Sequence, residues 1–155
     1  MAADAPARPP GAVLFACNLN RVRSPMAEAL LKRLVGDRVF VDSCGLKAFP
    51  RDEYEPAPDV DPFAEAVMAE LDCDLSQHRA KTFDQLEDSS FDLVISLTPE
   101  AQHRAVEMAR GRAAEIAYWP TFDPTLTEGS RESKLAAYRG VRDGLAARIA
   151  QRFGR

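Results

Sequence analysis

Cysteine is scarce in this chain of 155 residues, and what there is does not pair: Cys17, Cys44 and Cys73 are an odd number at irregular spacing, with no Cys-x-x-Cys among them. A disulfide framework is excluded, and with only His78 and His103 beside the thiols so is a zinc quartet. Free thiols fit a reducing compartment, so the cytoplasm is the expected location. No apolar run approaches the roughly 20 residues that cross a bilayer, and no membrane partner is expected. Basic runs are missing too. Twenty Lys and Arg stand against 24 Asp and Glu, a net charge of −4 spread through the chain, which argues against nucleic acid as the main ligand. Residues 1–11 carry Ala and Pro but no apolar stretch, and read as a disordered leader rather than a signal peptide.

What is present is one domain's worth of chain, residues 12–155, with enough apolar sequence for a core. Four short apolar runs, at 12–16, 39–42, 92–97 and 116–119, read as buried parallel strands. Helical patterns lie between them. The first has Ser24 as N-cap, Pro25 at the first helical position, Met26, Ala29, Leu30 and Leu34 as its apolar stripe, and Gly36 as its stop. A second runs over 62–71 with Phe63, Val67, Met68 and Leu71 on one face, and Asp61-Pro62 as its start. A short helix is expected at 82–86, another over 99–110 with Gly111 behind it, and a last over 130–153 with Leu135, Tyr138, Val141, Leu145 and Ile149 facing inward. Strands alternating with helices predict a three-layer α/β domain, a four-stranded parallel sheet with helices on both faces. In such sheets ligands sit beyond the carboxyl ends of the strands, at a switch point. The long stretches 47–61 and 120–129 are expected to be functional loops.

The run Cys17-Asn18-Leu19-Asn20-Arg21-Val22-Arg23-Ser24-Pro25 lies between the first strand and the first helix. That order aims the loop's N–H groups and the helix N-terminus at one spot, a ready anion site. Cys17 opens the loop and Arg23 follows six residues later. The thiolate is the nucleophilic form of cysteine, and a helix N-terminus with a nearby guanidinium favours it. Arg23 can grip two oxygens of a tetrahedral anion bidentately. The N–H groups from Asn18 to Arg23 supply the remaining donors. Ser24 has two roles open to it: capping the helix, or donating its hydroxyl to the Cys17 sulfur.

At these residues the chain resembles the low-molecular-weight protein tyrosine phosphatase family, which includes thioredoxin-linked arsenate reductases. The resemblance spans residues 13–153 and rests on ordered segments. These are Val13-Leu14-Phe15-Ala16-Cys17, Arg23-Ser24-Pro25-Met26-Ala27-Glu28-Ala29, Val41-Asp42-Ser43-Cys44-Gly45, Leu75-Ser76-Gln77-His78-Arg79-Ala80, Phe91-Asp92-Leu93-Val94-Ile95 and Phe122-Asp123-Pro124. It implies a phosphate loop after strand one, with Cys17 as nucleophile and Arg23 as anion clamp. Asp123 is then the general acid, a role worth about 10²–10⁴-fold in such reactions. On local sequence alone Asp123-Pro124 is equally a turn. The resemblance further implies that Asn20 and Ser43 brace the loop, that His78 supports the brace, and that Phe49 forms one wall of the pocket.

Four positions depart from the family pattern. Leu19 stands where the loop usually has Gly, which costs little only if the backbone there avoids positive φ. Arg21 replaces a small apolar residue, adding a cation at the pocket mouth that favours a multiply charged substrate. Val22 replaces a second cysteine, so any disulfide with Cys17 would need Cys44 or Cys73; both read instead as small packed residues. Thr125-Leu126 replaces an aromatic pair, which leaves one aromatic wall at Phe49, with Trp119 and Phe122 nearby in sequence.

The expected activity is hydrolysis of a phosphomonoester through a cysteinyl phosphate, needing neither metal nor cofactor because Arg23 and the loop amides neutralise the anion. The substrate would be a phosphorylated protein, a small phosphoester or an inorganic oxyanion. Two alternatives stand beside it. One is an arsenate reductase using the same loop, although Val22 and the cysteine-free stretch 74–100 lack the relay thiols such enzymes generally carry. The other is a catalytically weak relative that binds phosphate or phosphoproteins.

Overall fold

The fold was analysed in a computed structural model, which describes residues 10–50, 58–87 and 90–154. Four strands, Ala12–Cys17 (β1), Phe40–Gly45 (β2), Leu93–Ser96 (β3) and Glu115–Tyr118 (β4), form one parallel sheet in the order β2-β1-β3-β4. The most apolar strand, β1, takes a central place and is buried from Val13 to Cys17. The pleat sends Val13, Phe15 and Cys17 to one face and Leu14 and Ala16 to the other, where they join two separate apolar clusters.

The first face is covered by Arg23–Val35 (α1), Pro62–Ala69 (α2) and Arg131–Phe153 (α4); the second by Pro99–Ala109 (α3) through Ala101 and Ala105. All five residues expected to face inward on α4 are buried, and Arg142 is buried among them. The predicted three-layer α/β architecture is therefore present.

Several boundaries differ from expectation for identifiable reasons. The second strand, expected over 39–42, continues to Gly45 because its pairing with β1 runs on to Cys17 opposite Gly45. On α1 the buried face is wider than the predicted stripe. Ala27, Leu31 and Val35 join Met26 and Leu30 because the helix packs against both sheet and α4, which turns Leu34 outward to 40% exposure. The second helix ends at Ala69, two residues early, in a turn where Asp72 takes φ 59°. The helix expected at 82–86 is one 3₁₀ turn, Phe83–Gln85.

Of the segment read as a leader, residues 1–9 lie outside the described residues. Gly11 is fastened to the sheet, its N–H donating to Asp92 Oδ2 at 2.7 Å and its carbonyl accepting from Phe40 N–H at 2.9 Å. Among the described residues no helix is long and apolar enough to cross a membrane.

Candidate active site

Cys17 is the last residue of β1 and Arg23 the first of α1, so the sheet and a helix set the loop between them from both ends. The loop lies at the carboxyl edge where the strand order reverses between β1 and β3, the expected switch point. Across that gap Thr98, at the start of α3, donates its hydroxyl to Asn18 Oδ1 at 2.7 Å. From the β2 side, Leu46 N–H reaches the carbonyls of Cys17 and Asn18 at 3.1 and 2.9 Å.

Ser24 does not cap the helix. Because α1 starts two residues earlier than expected, with Val22 in the capping position, Ser24 and Pro25 both lie inside its first turn and no side chain caps the N-terminus. A capping hydroxyl would occupy one of the unpaired N–H donors at this helix end, and none does so. The Ser24 hydroxyl instead lies 2.9 Å from Cys17 Sγ.

Its orientation follows from a buried chain of hydrogen bonds. Asn20 Oδ1 accepts from Lys81 N–H at 3.0 Å, so the Asn20 amide nitrogen faces the two hydroxyls and donates to Ser24 Oγ at 2.8 Å and Ser43 Oγ at 2.9 Å. Ser43 spends its own proton on Glu28 Oε1 at 2.5 Å. Ser24, accepting from Asn20, keeps its one hydroxyl proton for two acceptors in reach, the Cys17 sulfur at 2.9 Å and the Cys44 carbonyl at 3.4 Å. Behind Asn20, His78 Nε2 meets the Asn20 carbonyl at 2.9 Å. Burial holds the imidazole below its ordinary pKa, with the Asn20 carbonyl and the Glu28 carboxylate pulling the other way. The residue at positive φ is Asn20, at 58°, and not Leu19, so Leu19 meets the condition under which a side chain is tolerated there.

Cys17, Asn18, Leu19, Arg21, Val22 and Arg23 line one cavity of about 390 Å³, and Lys47, Phe49, Asp61, Asp123 and Thr125 complete it. The guanidinium of Arg23 is anchored by Nη1 on the Thr121 carbonyl at 2.9 Å, and its Nη2 lies 3.9 Å from Asp123 Oδ2. Asp123 divides its two oxygens. Oδ1 holds the turn, accepting from Thr125 N–H at 3.0 Å and Thr125 Oγ1 at 2.7 Å, while Oδ2 is turned to Arg23. The turn and the cavity wall are thus served by one side chain. Among the described residues, no group of three or more His, Cys, Asp or Glu side chains is placed to hold a metal ion.

A model of the low molecular weight phosphotyrosine protein phosphatase family matches residues 12–149. The chain belongs to that family. Among curated members, an arsenate reductase of Halalkalibacterium halodurans is 34% identical over 137 residues, covering 88% of this chain and 91% of the relative. A low molecular weight protein-tyrosine-phosphatase of Streptomyces coelicolor is 33% identical over 141 residues, covering 85% and 80%. Among solved structures, an arsenate reductase in the phosphate binding state superposes with a TM-score of 0.71 at 27% identity, covering 90% of this chain and 94% of that one.

Neither of the remaining thiols lines the cavity with Cys17. Cys44 is in register with Ala16 and packs in the cluster on the opposite face of the sheet; burial pushes its thiol pKa up. Cys73 touches Arg33, ten residues along α1 from Arg23, about 15 Å at the helical rise. Trp119 is core, tilted against Phe15, whereas Phe122 is 59% exposed and lines an adjoining cavity of about 420 Å³ shared with Arg23 and Asp123. His103 is exposed on α3.

Sequence reasoning did not single out Lys47, Asp61, Thr98 or Thr121 as site residues. Asp61 was legible as the cap of α2, which it is, accepting from Phe63 N–H at 2.8 Å. Its second oxygen accepts from Tyr138 Oη at 3.1 Å, and the residue lines the cavity, which no local pattern reveals.

Proposed function

We propose that this family member hydrolyses phosphomonoesters through a cysteinyl-phosphate intermediate. The carrying observation is that Cys17, Arg23 and Asp123 line one cavity while Ser24 Oγ lies 2.9 Å from the sulfur. In the first step the Cys17 thiolate attacks phosphorus, the bond to the leaving oxygen breaks, and protonated Asp123 gives that oxygen its proton. Arg23, the loop N–H groups and the uncapped start of α1 hold the three equatorial oxygens as charge moves. In the second, Asp123 as carboxylate takes a proton from water, the water oxygen attacks phosphorus, and the P–S bond breaks. The Ser24 hydroxyl then stabilises the departing thiolate.

The test is p-nitrophenyl phosphate at about pH 5–6. Hydrolysis should vanish in Cys17→Ser and fall about 10²–10⁴-fold in Asp123→Asn. Inert wild-type protein, or turnover that survives Cys17→Ser, overturns the reading.

Arsenate reduction is the second reading, supported by the relatives that bear that name and match 88% of the chain. It requires thiols to resolve the oxidised nucleophile. Cys44 on the other sheet face and Cys73 near the far end of α1 are badly placed for that. Arsenate consumption with thioredoxin, in the absence of phosphoester turnover, would favour it. Phosphate binding with neither activity would leave a phosphate-binding relative.

A further inference from the structure

Phe49, the one aromatic wall implied for the pocket, has one face of its ring covered. The Arg21 guanidinium lies over its ring, 3.9 Å from the centroid, and is fixed again by Nε donating to the Pro58 carbonyl at 3.2 Å. A planar cation therefore covers what would otherwise be a surface for a flat leaving group. Among the described residues no carboxylate pairs with Arg21. Lys47 lines the same cavity, with its backbone N–H on the Asn18 carbonyl at 3.1 Å, and its ammonium likewise forms no ion pair among the described residues.

The acidic groups of the cavity are already engaged. Asp61 accepts from Tyr138 and from the N–H groups opening α2, and Asp123 from Thr125 and, at long range, Arg23. Arg21 and Lys47 are thus cations beyond the one that the scissile phosphate needs, at the mouth of a site in a chain of net charge −4. Their field is local and belongs to the cavity.

We infer that Arg21 and Lys47 form a second anion subsite, and that the preferred substrate is a phosphomonoester carrying a further anionic group, a phosphate or a carboxylate, on its leaving-group side. This inference rests on the phosphoester reading of the site and names the substrate class within it. Arg21 reads the anion with a fork pre-set by Phe49 and Pro58; Lys47 adds a mobile point charge. The shared chemistry reaches the site from two sources, an acidic residue beside a phosphorylated residue or the second group of a small bisphosphate.

Matched ligands separate these sources: phosphopeptides with Asp or Asn flanking the phosphorylated residue, and a sugar bisphosphate against its monophosphate. Dissociation constants are measured by calorimetry on Cys17→Ser protein, which needs no turnover, and kcat/KM on wild type. The doubly anionic partner of at least one pair should bind about two- to fivefold tighter at low salt, within the range for exposed ion pairs. That preference should drop toward unity when Arg21→Gln is added, fall partway with Lys47→Gln and with Arg21→Lys, which keeps the charge but not the fork, and shrink in 0.5 M salt, about the concentration at which screening becomes short-ranged. The pair that shows it identifies the source. Equal affinity within both pairs, or a preference untouched by Arg21→Gln and Lys47→Gln together, overturns the subsite. Turnover of p-nitrophenyl phosphate by wild type, measured alongside, reports on the hydrolase reading alone, so the two failures are told apart.

Discussion

Asn20 adopts φ 58°, and its side chain makes three hydrogen bonds, two of them buried, to Ser24 and Ser43, and one partly buried, from Lys81 N–H. Asparagine is the residue type that tolerates this conformation best after glycine. Asn20→Ala should therefore lose about 2–4 kcal/mol of stability, from strained backbone and unsatisfied buried partners. Leu19→Gly should cost under about 1 kcal/mol, since position 19 needs no left-handed backbone. Urea unfolding of the two variants checks the order. From sequence the absence of glycine at 19 looked like the risk to the loop, because the spacing of a motif does not disclose which residue carries the turn. The cysteines permit a second test at this scale. Cys44 is fully buried and its thiol is held protonated by burial, whereas Cys17 opens on the cavity. Brief iodoacetamide treatment of native protein should label Cys17, with phosphate protecting it, and leave Cys44 unmodified by mass spectrometry. Early labelling of Cys44 would contradict the described packing.

At the scale of elements, the end of β2 presses directly on the loop. A Cβ added to Gly45 would lie 2.8 Å from Asn20 N, 2.8 Å from Leu19 C and 2.9 Å from Asn18 O, all backbone atoms that cannot rotate aside. Gly45→Ala should cost about 1–3 kcal/mol, the range for overpacking, and should weaken phosphate binding because relief comes only by moving the loop. Calorimetry with phosphate and thermal unfolding test both; a destabilised variant with unchanged phosphate affinity would show that the loop does not yield. The same pairing explains why the second strand was under-read in sequence. Ser43-Cys44-Gly45 carries no strong strand signal, yet its register with Phe15-Ala16-Cys17 continues the ladder to the loop itself. Likewise Ser24-Pro25 reads as cap and first helical residue. The assembled structure instead starts the helix at Arg23, with Val22 in the capping position and no side-chain cap.

Over the whole molecule, the alternation of apolar runs and amphipathic patterns sufficed for the layers, because burial of β1 on both faces demands helices above and below. The parts of the site brought in by tertiary contact were not legible. Lys47 and Asp61 lie near the two ends of the connection between β2 and α2, Thr98 follows β3 and Thr121 follows β4; three of the four fall in stretches that read as functional loops, but nothing beside them marks which side chains reach the site. One such long-range device governs acid stability. Glu70, just past α2, accepts from Arg139 Nε and Nη2, the latter at 2.7 Å, and from Arg142 Nη1 at 2.8 Å, tying α2 to α4. The two guanidinium groups lower its pKa from 4.5 to about 2. A carboxylate depressed on folding contributes stability that is present above its unfolded value, near pH 4.5, and is lost as pH falls through about 2. Glu70→Gln should accordingly be less stable than wild type at neutral pH, with the gap closing between about pH 4.5 and 2. Solvent screening keeps that gap modest, and added salt should narrow it at pH 7. Urea titrations across this range decide the matter: curves for wild type and Glu70→Gln that stay parallel down to about pH 2 would mean that the α2–α4 clamp contributes nothing through its charge.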